Sequence, residues 1–192
     1  MPRKKAYDSD VVLEKAMHTF WQNGYEGTSV RLLEKDMGIN QFSIYSSFGS
    51  KQELFIEVLK KYKNHVGNTF LKELKDSEGR LADIRKFLSD YSRTVREGKQ
   101  ANGCLMVNTS LEVGHKDAKV LQQLELYFEF IKRILEHVLE KAKRIGEVSP
   151  EFDIKRNALF LLGSLQGLSV YAKFQQAEEI DVFIDQTMTT LK

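Results

Sequence analysis

The spacing of apolar residues near the N-terminus predicts two short helices joined by a tight turn. Val30, Leu33 and Met37 recur at the i, i+3 and i+7 positions of one helical face. Gly38 follows directly, where the end of a helix favours a residue that accepts a left-handed backbone. Asn40 then stands where its side chain can cap the open amides of a second helix. This order of helix, turn and capped helix is the pattern of a helix-turn-helix.

The second of these helices is expected to have an inner and an outer face. Ile44 and Phe48 are one turn apart and are expected to point inward. The residues expected to point outward are Phe42, Ser43, Tyr45 and Ser46. This outer face carries hydroxyls and aromatic carbon but no acid, so it suits the major groove of DNA, where a helix-turn-helix inserts its second helix. The alternative is an ordinary helical hairpin inside a larger helical core.

The residues that flank this hairpin favour DNA binding. Ser50 and Glu53 form a capping box, and Lys51 lies beside the helix N-terminus that it begins, where an ammonium and backbone amides can share one phosphate. A short basic arm at the start of the chain can reach phosphates or the minor groove, the alternative being a solvated terminus. The residues expected to touch the DNA backbone are Arg3, Lys4, Lys5, Thr28, Asn40, Tyr45 and Lys51. Those expected to face base edges are Gln41, Phe42, Ser43 and Ser46.

Apolar stripes at helical spacing continue along the rest of the chain, so the predicted fold class is all-α. The first helix is expected to stop at Asn23–Gly24. The fourth is expected to run from Ser50 to about Leu74, which corresponds to a length of about 35 Å. A later helix begins after Asp153 and is apolar on nearly all sides, so it needs to be covered on two of them.

Composition narrows the classes of function. The chain has 192 residues, of which 42% are hydrophobic, and a net charge of only +2, so any DNA contact must come from a local basic patch. A single cysteine, Cys104, excludes an intramolecular disulfide and fits a reducing compartment, so we expect a cytoplasmic protein. The apolar runs are too short to span a membrane. We find no catalytic or metal-binding motif and therefore expect neither an enzyme nor a cofactor.

Five short segments share one uninterrupted register over about the first 60 residues. They are Asn23–Val30, Met37–Ile39, Ile44–Tyr45, Phe48 and Ser50–Phe55. Together they resemble the N-terminal domain of TetR/AcrR-type transcriptional regulators. The family pattern usually has a second aromatic residue or a histidine where this chain has Ser46 and Ser47, and a small residue or proline in place of Phe42. These departures concern the operator sequence and not the fold.

The resemblance implies a ligand-responsive repressor that binds a pseudo-palindromic operator as a homodimer. It implies an N-terminal three-helix helix-turn-helix domain over residues 1–52 and a C-terminal helical ligand-binding and dimerisation domain over residues 53–192, with helix four as the connector. In the family the last two long helices form the dimer interface. The interface residues expected here are Gly163, Gly167, Phe183 and Thr187. The alternative function is a helical small-molecule-binding or interaction module without operator binding; an enzyme is the remaining class, and it lacks an acid, base or nucleophile set.

The C-terminal helices are expected to enclose a small hydrophobic or electrophilic inducer. The lining residues predicted for this pocket are Tyr62, Val66, Tyr91, Cys104, Leu105, Asn108, Tyr127 and Ile131. Asn102–Glu112 is similar to a segment of one AcrR-like subset, in which some members with a cysteine respond to electrophiles or oxidants. The dipole of a first helical turn favours the reactive thiolate form of such a cysteine. The alternative is that Cys104 is a small buried apolar residue.

Overall fold

The computed structural model describes residues 7–98, 102–114 and 116–191, and all regular structure in these ranges is α-helical. The helices are α1 (Ser9–Gly27), α2 (Val30–Met37), α3 (Gln41–Phe48), α4 (Lys51–Asn68), α5 (Lys72–Asp76), α6 (Leu81–Arg96), α7 (Leu105–Glu112), α8 (Ala118–Arg144), α9 (Ile154–Tyr171) and α10 (Ala177–Thr189). The prediction of an all-α fold is confirmed for this part of the chain.

Local capping residues determine where the three N-terminal helices begin. Asp8, Ser29 and Asn40 cap α1, α2 and α3, each accepting a hydrogen bond from a backbone amide of the first turn at 2.8, 3.1 and 2.8 Å respectively. Gly38 has a φ of 73° and ends α2 in the left-handed conformation that glycine adopts most readily. The predicted helix-turn-helix is therefore present as α2, a short turn and α3.

The described residues fall into two compact units. The first comprises the chain up to His65 together with Asn108–Leu124, and the second comprises Val66–Val107 and the chain from Glu125 onward. The core of the first unit is built from apolar side chains of α1 to α4: Met17, Phe20, Leu33, Met37, Ile44, Leu54 and Phe55. The predicted domain boundary, between residues 52 and 53, falls in the first turn of α4 and inside the first unit.

Helix four is shorter than the sequence suggested. It ends at Asn68, so it is about 27 Å long at about 1.5 Å per residue, and not about 35 Å. The Leu71 amide donates to the Val66 carbonyl at 3.1 Å, a hydrogen bond that closes a helix C-terminus. Leu71 and Leu74 are buried all the same. The apolar stripe therefore continues past the end of the helix, and for this reason the prediction of one long helix was wrong.

The second unit contains the helix whose apolar character extends nearly all round. Asp153 caps α9, as predicted, by accepting a hydrogen bond from the Arg156 amide at 3.0 Å. One face of α9 is buried and includes Ala158, Leu161 and Leu168. Within the described ranges, no helix combines the length and apolarity needed to cross a membrane.

Candidate nucleic-acid interface

The outer face of α3 presents a large apolar side chain between polar ones. The Phe42 side chain is 81% exposed, whereas Ile44 is 1% exposed and anchors the helix in the core of the first unit. Gln41, Tyr45 and Ser46 are also exposed, and Ser43 is half-buried. The predicted phase of the helix is thus correct for Ile44. An exposed phenylalanine beside amide and hydroxyl groups can contact base edges through both apolar and polar atoms.

Two side chains fix the N-terminus of α3. The Asn40 amide oxygen accepts a hydrogen bond from the Ser43 amide at 2.8 Å, as predicted for the cap. The Glu34 carboxylate of α2 accepts a hydrogen bond from the Gln41 amide. Because an anion near a helix N-terminus is favourable, this second contact also stabilises the turn between the two helices. The outer face of α3 is therefore held in a defined orientation before any partner binds.

Tyr7 links the beginning of the described chain to α3. Its hydroxyl donates to the Ser43 carbonyl at 3.4 Å and forms a hydrogen bond with the Ser47 hydroxyl. The predicted basic arm, Arg3–Lys5, lies outside the described residues. Tyr7 follows that arm by two positions, and it is held on the helix that carries the outer face.

Thr28 is placed differently from the prediction. Its side chain is fully buried, and its hydroxyl donates to the Gly24 carbonyl at 2.6 Å. Ser29, and not Thr28, caps α2. The expected phosphate contact of the Thr28 side chain is therefore wrong, because the hydroxyl is used inside the protein.

The N-terminus of α4 carries a lysine on an aromatic ring. The Lys51 ammonium lies 4.4 Å from the centroid of the Tyr25 ring, within the range of a cation–π interaction. The Ser50 hydroxyl accepts a hydrogen bond from the Glu53 amide at 3.1 Å, so the predicted cap at Ser50 is present. The first amides of a helix lack intrahelical acceptors, and Lys51 stands beside them as a cationic partner for an anion.

A second group of predicted residues surrounds Cys104 in the second unit. The Cys104 sulfur lies 3.7 Å from the Tyr127 hydroxyl, and both residues are buried. Burial raises the pKa of Tyr127 well above its ordinary value, and the nearby Cys104 raises it further. Burial likewise raises the pKa of Tyr91, and Cys104 adds to this effect, whereas a hydrogen bond with Ser169 opposes it. These phenols therefore stay neutral and can donate hydrogen bonds.

The other residues of the predicted pocket are distributed over both units. Val66, Leu105 and Ile131 are buried in the second unit. Tyr62 and Asn108 belong to the first unit, where the Tyr62 ring lies edge-on against Trp21 with centroids 5.0 Å apart. A surface groove of about 240 Å³ in the second unit includes one residue of the predicted set, Tyr91, among its walls.

Two family models match the chain. Residues 12–58 match the model described as bacterial regulatory proteins, tetR family, and residues 81–187 match the model described as tetracyclin repressor-like, C-terminal domain. The second match alone covers more than half of the chain. This protein belongs to the TetR family. The resemblance noted in its first 60 residues is therefore confirmed, and the second match extends the family assignment to the C-terminal part of the chain.

Individual relatives extend the comparison. The HTH-type transcriptional repressor ComR of Escherichia coli K12 is 29% identical over 195 residues, which cover 99% of this chain and 90% of ComR. The uncharacterized HTH-type transcriptional regulator YezE of Bacillus subtilis 168 is 29% identical over 174 residues, 90% of each chain. A cysteine mutant of the TetR family regulator CifR, solved with a 26 bp double-strand operator DNA, is 26% identical with a TM-score of 0.87 and covers 99% of this chain and 100% of its own. This TetR-family member is an operator-binding transcriptional regulator and not an enzyme.

The four residues predicted for the dimer interface of this TetR-family protein have different environments. Gly163 is exposed on α9, and a Cβ built there meets no atom within 4 Å. A Cβ at Gly167 comes 4.0 Å from the Phe183 ring, which is half-buried. Thr187 is buried and its hydroxyl donates to the Phe183 carbonyl at 2.8 Å, so its placement on an interface was wrong. The inner face of α10 includes Thr187, and only the opposite face can meet a partner.

Three residues that hold the elements of the candidate interface in place were not identified from the sequence: Tyr7, Glu34 and Glu112. Glu34 and Glu112 accept hydrogen bonds from backbone amides seven and more than eighty positions away, and such long-range caps have no signature in a local pattern. Tyr7 could have been noticed as the aromatic residue that ends the basic arm. Neither Glu34 nor Glu112 shows a spacing in the sequence that would have identified its hydrogen-bond partners.

Proposed function

We propose that this TetR-family regulator binds a pseudo-palindromic operator as a homodimer and represses transcription until a small hydrophobic or electrophilic inducer binds its C-terminal helices. Repression is supported by relatives such as ComR and DhaR, which are named as transcriptional repressors. Operator binding is supported by CifR, a relative of similar fold whose structure was solved in complex with operator DNA. A protein that reads operator DNA acts where the chromosome lies, which in a bacterium is the cytoplasm.

The observation that carries this proposal is the exposed face of α3, with Phe42 at its centre. The Phe42 side chain is 81% exposed, and the N-terminus of its helix is held by Asn40 and Glu34, so the ring is available to a partner in a defined position. In the proposed complex Phe42 meets a thymine methyl group, and Gln41, Ser43 and Ser46 face neighbouring base edges.

Backbone contacts set the position of α3 in the groove. Tyr45 and Lys51 are proposed to touch phosphates on the flanks of the reading helix, and Asn40 combines its capping role with a phosphate contact. The basic arm, Arg3–Lys5, follows the DNA backbone or enters the minor groove. It precedes Tyr7, whose hydroxyl is hydrogen-bonded to the Ser43 carbonyl of α3. Thr28 is not part of this set, because its hydroxyl is buried.

A homodimer is proposed to form through the outer faces of α9 and α10. Besides the exposed Gly163 on α9, Leu159 is 62% exposed, Phe160 43% and Val182 on α10 68%. Exposed apolar side chains on adjacent helices are typical of protein–protein interfaces. A two-fold dimer presents two reading helices, so the half-sites are expected about 34 Å, or a multiple of one helical turn, apart.

The inducer is proposed to bind in the second unit near Tyr91, Cys104 and Tyr127. Two buried neutral phenols and a thiol lie among apolar side chains here, which is the composition of small-molecule sites. Leu105, Val66 and Ile131 supply apolar surface in the same unit. Such a ligand releases DNA only if it binds the DNA-incompetent arrangement more tightly than the competent one.

The experiment is an anisotropy titration of the protein against a duplex from its own upstream region at several salt concentrations. A triple variant, Arg3→Ala with Lys4→Ala and Lys5→Ala, should weaken binding to all duplexes and lower the salt slope by about 0.9 for each phosphate that the arm no longer neutralises. A matched control replaces three exposed lysines of the second unit, Lys72, Lys75 and Lys155, and should leave the slope unchanged.

Two results would contradict the proposal. An unchanged slope in the arm variant would remove the arm from the mechanism. Binding that shows no preference for any upstream duplex, in a chain that still binds small molecules, would favour a helical ligand-binding module without operator binding.

A further inference from the structure

The turn that follows the break in α1 is held by a side chain from far along the sequence. Gly24 has a φ of 72° and a ψ of 176°, which interrupts the helix and separates the next amides from their helical acceptors. The Glu112 carboxylate takes up both: one oxygen accepts from the Tyr25 amide at 2.9 Å and the other accepts from the Glu26 amide at 2.8 Å. Each oxygen of the carboxylate thus makes one charge-assisted hydrogen bond with the turn.

The Glu112 carboxylate lies so close to the turn that a side chain at position 24 would have to displace it. A Cβ there would come 2.8 Å from one Glu112 oxygen and 3.0 Å from the other. The positive φ favours glycine at the same position for a second reason. The sequence at the break and the distant acid are therefore matched to each other.

The Tyr25 ring connects this turn to the N-terminal part of α4. Its ring lies 4.9 Å from the Phe55 ring and 6.2 Å from the Phe20 ring, centroid to centroid. The Lys51 ammonium rests 4.4 Å from the centre of the same ring. The position of the ring, and with it the support of the ammonium, depends on the backbone that Glu112 holds.

A second contact reinforces the same corner of the first unit. The Gln52 side chain donates to the Asp117 carboxylate, which also accepts from the Lys119 amide at 2.9 Å. Burial tends to raise the pKa of Asp117, but hydrogen bonds from Gln52 and from backbone amides outweigh it and lower the pKa. Asp117 therefore stays ionised at neutral pH. Glu112 contacts the Tyr25 turn, and Asp117 contacts Gln52, the residue next to Lys51.

We infer that Glu112 is a positioning residue for DNA binding: it clamps the Tyr25 turn so that the Tyr25 ring holds the Lys51 ammonium ready for a phosphate. This inference rests on the proposed phosphate contact of Lys51. According to this inference, an acidic residue that does not touch DNA strengthens the binding of DNA, which is a polyanion. The sign of that role separates it from ordinary electrostatics, in which removal of a negative charge strengthens DNA binding.

The test compares operator affinities and salt slopes of four proteins with the wild type. Lys51→Met keeps the aliphatic stem and should weaken binding about tenfold and lower the salt slope by about 0.9 per subunit. Glu112→Gln should also weaken binding and lower the slope, by no more than Lys51→Met does. The double variant should bind like Lys51→Met alone, because both changes remove the same contact. Glu26→Gln is the matched control, since it removes an exposed charge from the same turn, and it should bind as well as the wild type or better.

Each other outcome has a defined meaning. A Glu112→Gln variant that binds as well as the wild type, or more tightly, overturns the inference, and so does a double variant whose losses add. If Lys51→Met leaves affinity and slope unchanged, Lys51 does not contact a phosphate. The inference about Glu112 is then wrong, but the proposal that the protein binds an operator is not contradicted. If Glu112→Gln does not fold, Tyr25→Leu takes its place: it keeps apolar packing, removes the ring face, and must be non-additive with Lys51→Met.

Discussion

Phe42 and Ile44 stand two positions apart on α3 and have opposite environments, with 81% and 1% of their side chains exposed. Two residues of helix correspond to a rotation of about 200°, so neighbours at this spacing point to opposite faces. The two side chains therefore have separable roles: Ile44 holds the helix in the first unit, and Phe42 presents apolar surface to a partner.

This relationship predicts opposite phenotypes for two alanine variants. Ile44→Ala should lower the free energy of unfolding by about 2–5 kcal/mol, because it leaves a cavity in the core. Phe42→Ala should change stability by no more than about 0.5 kcal/mol, since its side chain is exposed, but should relax the preference for one operator base pair. Chemical denaturation and titration with single-base operator variants measure the two effects. A Phe42→Ala protein as unstable as Ile44→Ala would place Phe42 in the core of the protein.

The phase of α3 could be predicted because it depends on local information. The spacing of Ile44 and Phe48, the Asn40 cap and the Gly38 turn are all read within about ten residues, and the structure confirms Ile44, the cap and the turn. The beginning of a helix was predicted well for the same reason where a capping side chain directly precedes it, as Asp153 precedes α9.

Contacts that leave no trace in the apolar pattern could not be predicted in this way. The end of α4 depends on a backbone hydrogen bond from Leu71 to Val66, and the apolar stripe gives no sign of it. Thr28 and Ser29 are adjacent hydroxyl residues, and only the fold decides which of them is buried. Glu112 is one acid among many in the sequence, and its partner turn lies more than eighty residues away. Periodicity reports which face of a helix is apolar, but it does not identify which element covers that face.

The burial of Thr28 predicts a loss of stability without a direct effect on DNA contact. Thr28→Val keeps the shape of the side chain but removes the hydroxyl that donates to the Gly24 carbonyl at 2.6 Å. The free energy of unfolding should fall by about 1 kcal/mol, and the salt slope of operator binding should stay that of the wild type. Thermal unfolding and anisotropy at several salt concentrations provide the two measurements. A lower slope in a fully folded Thr28→Val protein, additive with that of Lys51→Met, would restore the phosphate contact that the structure argues against.

The open surface at Gly163 predicts a defect in assembly and not in folding. Within the chain, a Cβ at this position meets no atom within 4 Å, and leucine has the higher helix propensity. Gly163→Leu should therefore leave thermal stability of the subunit unchanged or raised, while overpacking a close contact between two copies of α9. Sedimentation velocity should show a shift towards monomers.

A control for this prediction uses another exposed position. Glu140→Leu adds a leucine to the exposed surface of α8 and should leave the dimer intact. If Gly163→Leu sediments like the wild type, α9 does not form the interface at this point, and the exposed apolar residues around it need another partner.

Cys104 is expected to act as a buried apolar residue and not as a reactive switch. Its side chain is only 6% exposed, and its sulfur lies 3.7 Å from the hydroxyl of Tyr127, which is also buried. A reagent must reach a thiol before it can modify it, so alkylation by iodoacetamide should be slow in the native protein and fast in denaturant. The wild type and Cys104→Ser should then release operator equally when a quinone or an aldehyde is added, because any release comes from non-covalent binding. Release by the wild type alone, with a covalent adduct on Cys104 in the mass spectrum, would show instead that the pocket opens to electrophiles and that the thiol is the sensor.

Tyr127→Phe separates the two cases further: it removes the hydroxyl beside the sulfur, and it should change the affinity for a non-covalent inducer without changing the rate of alkylation.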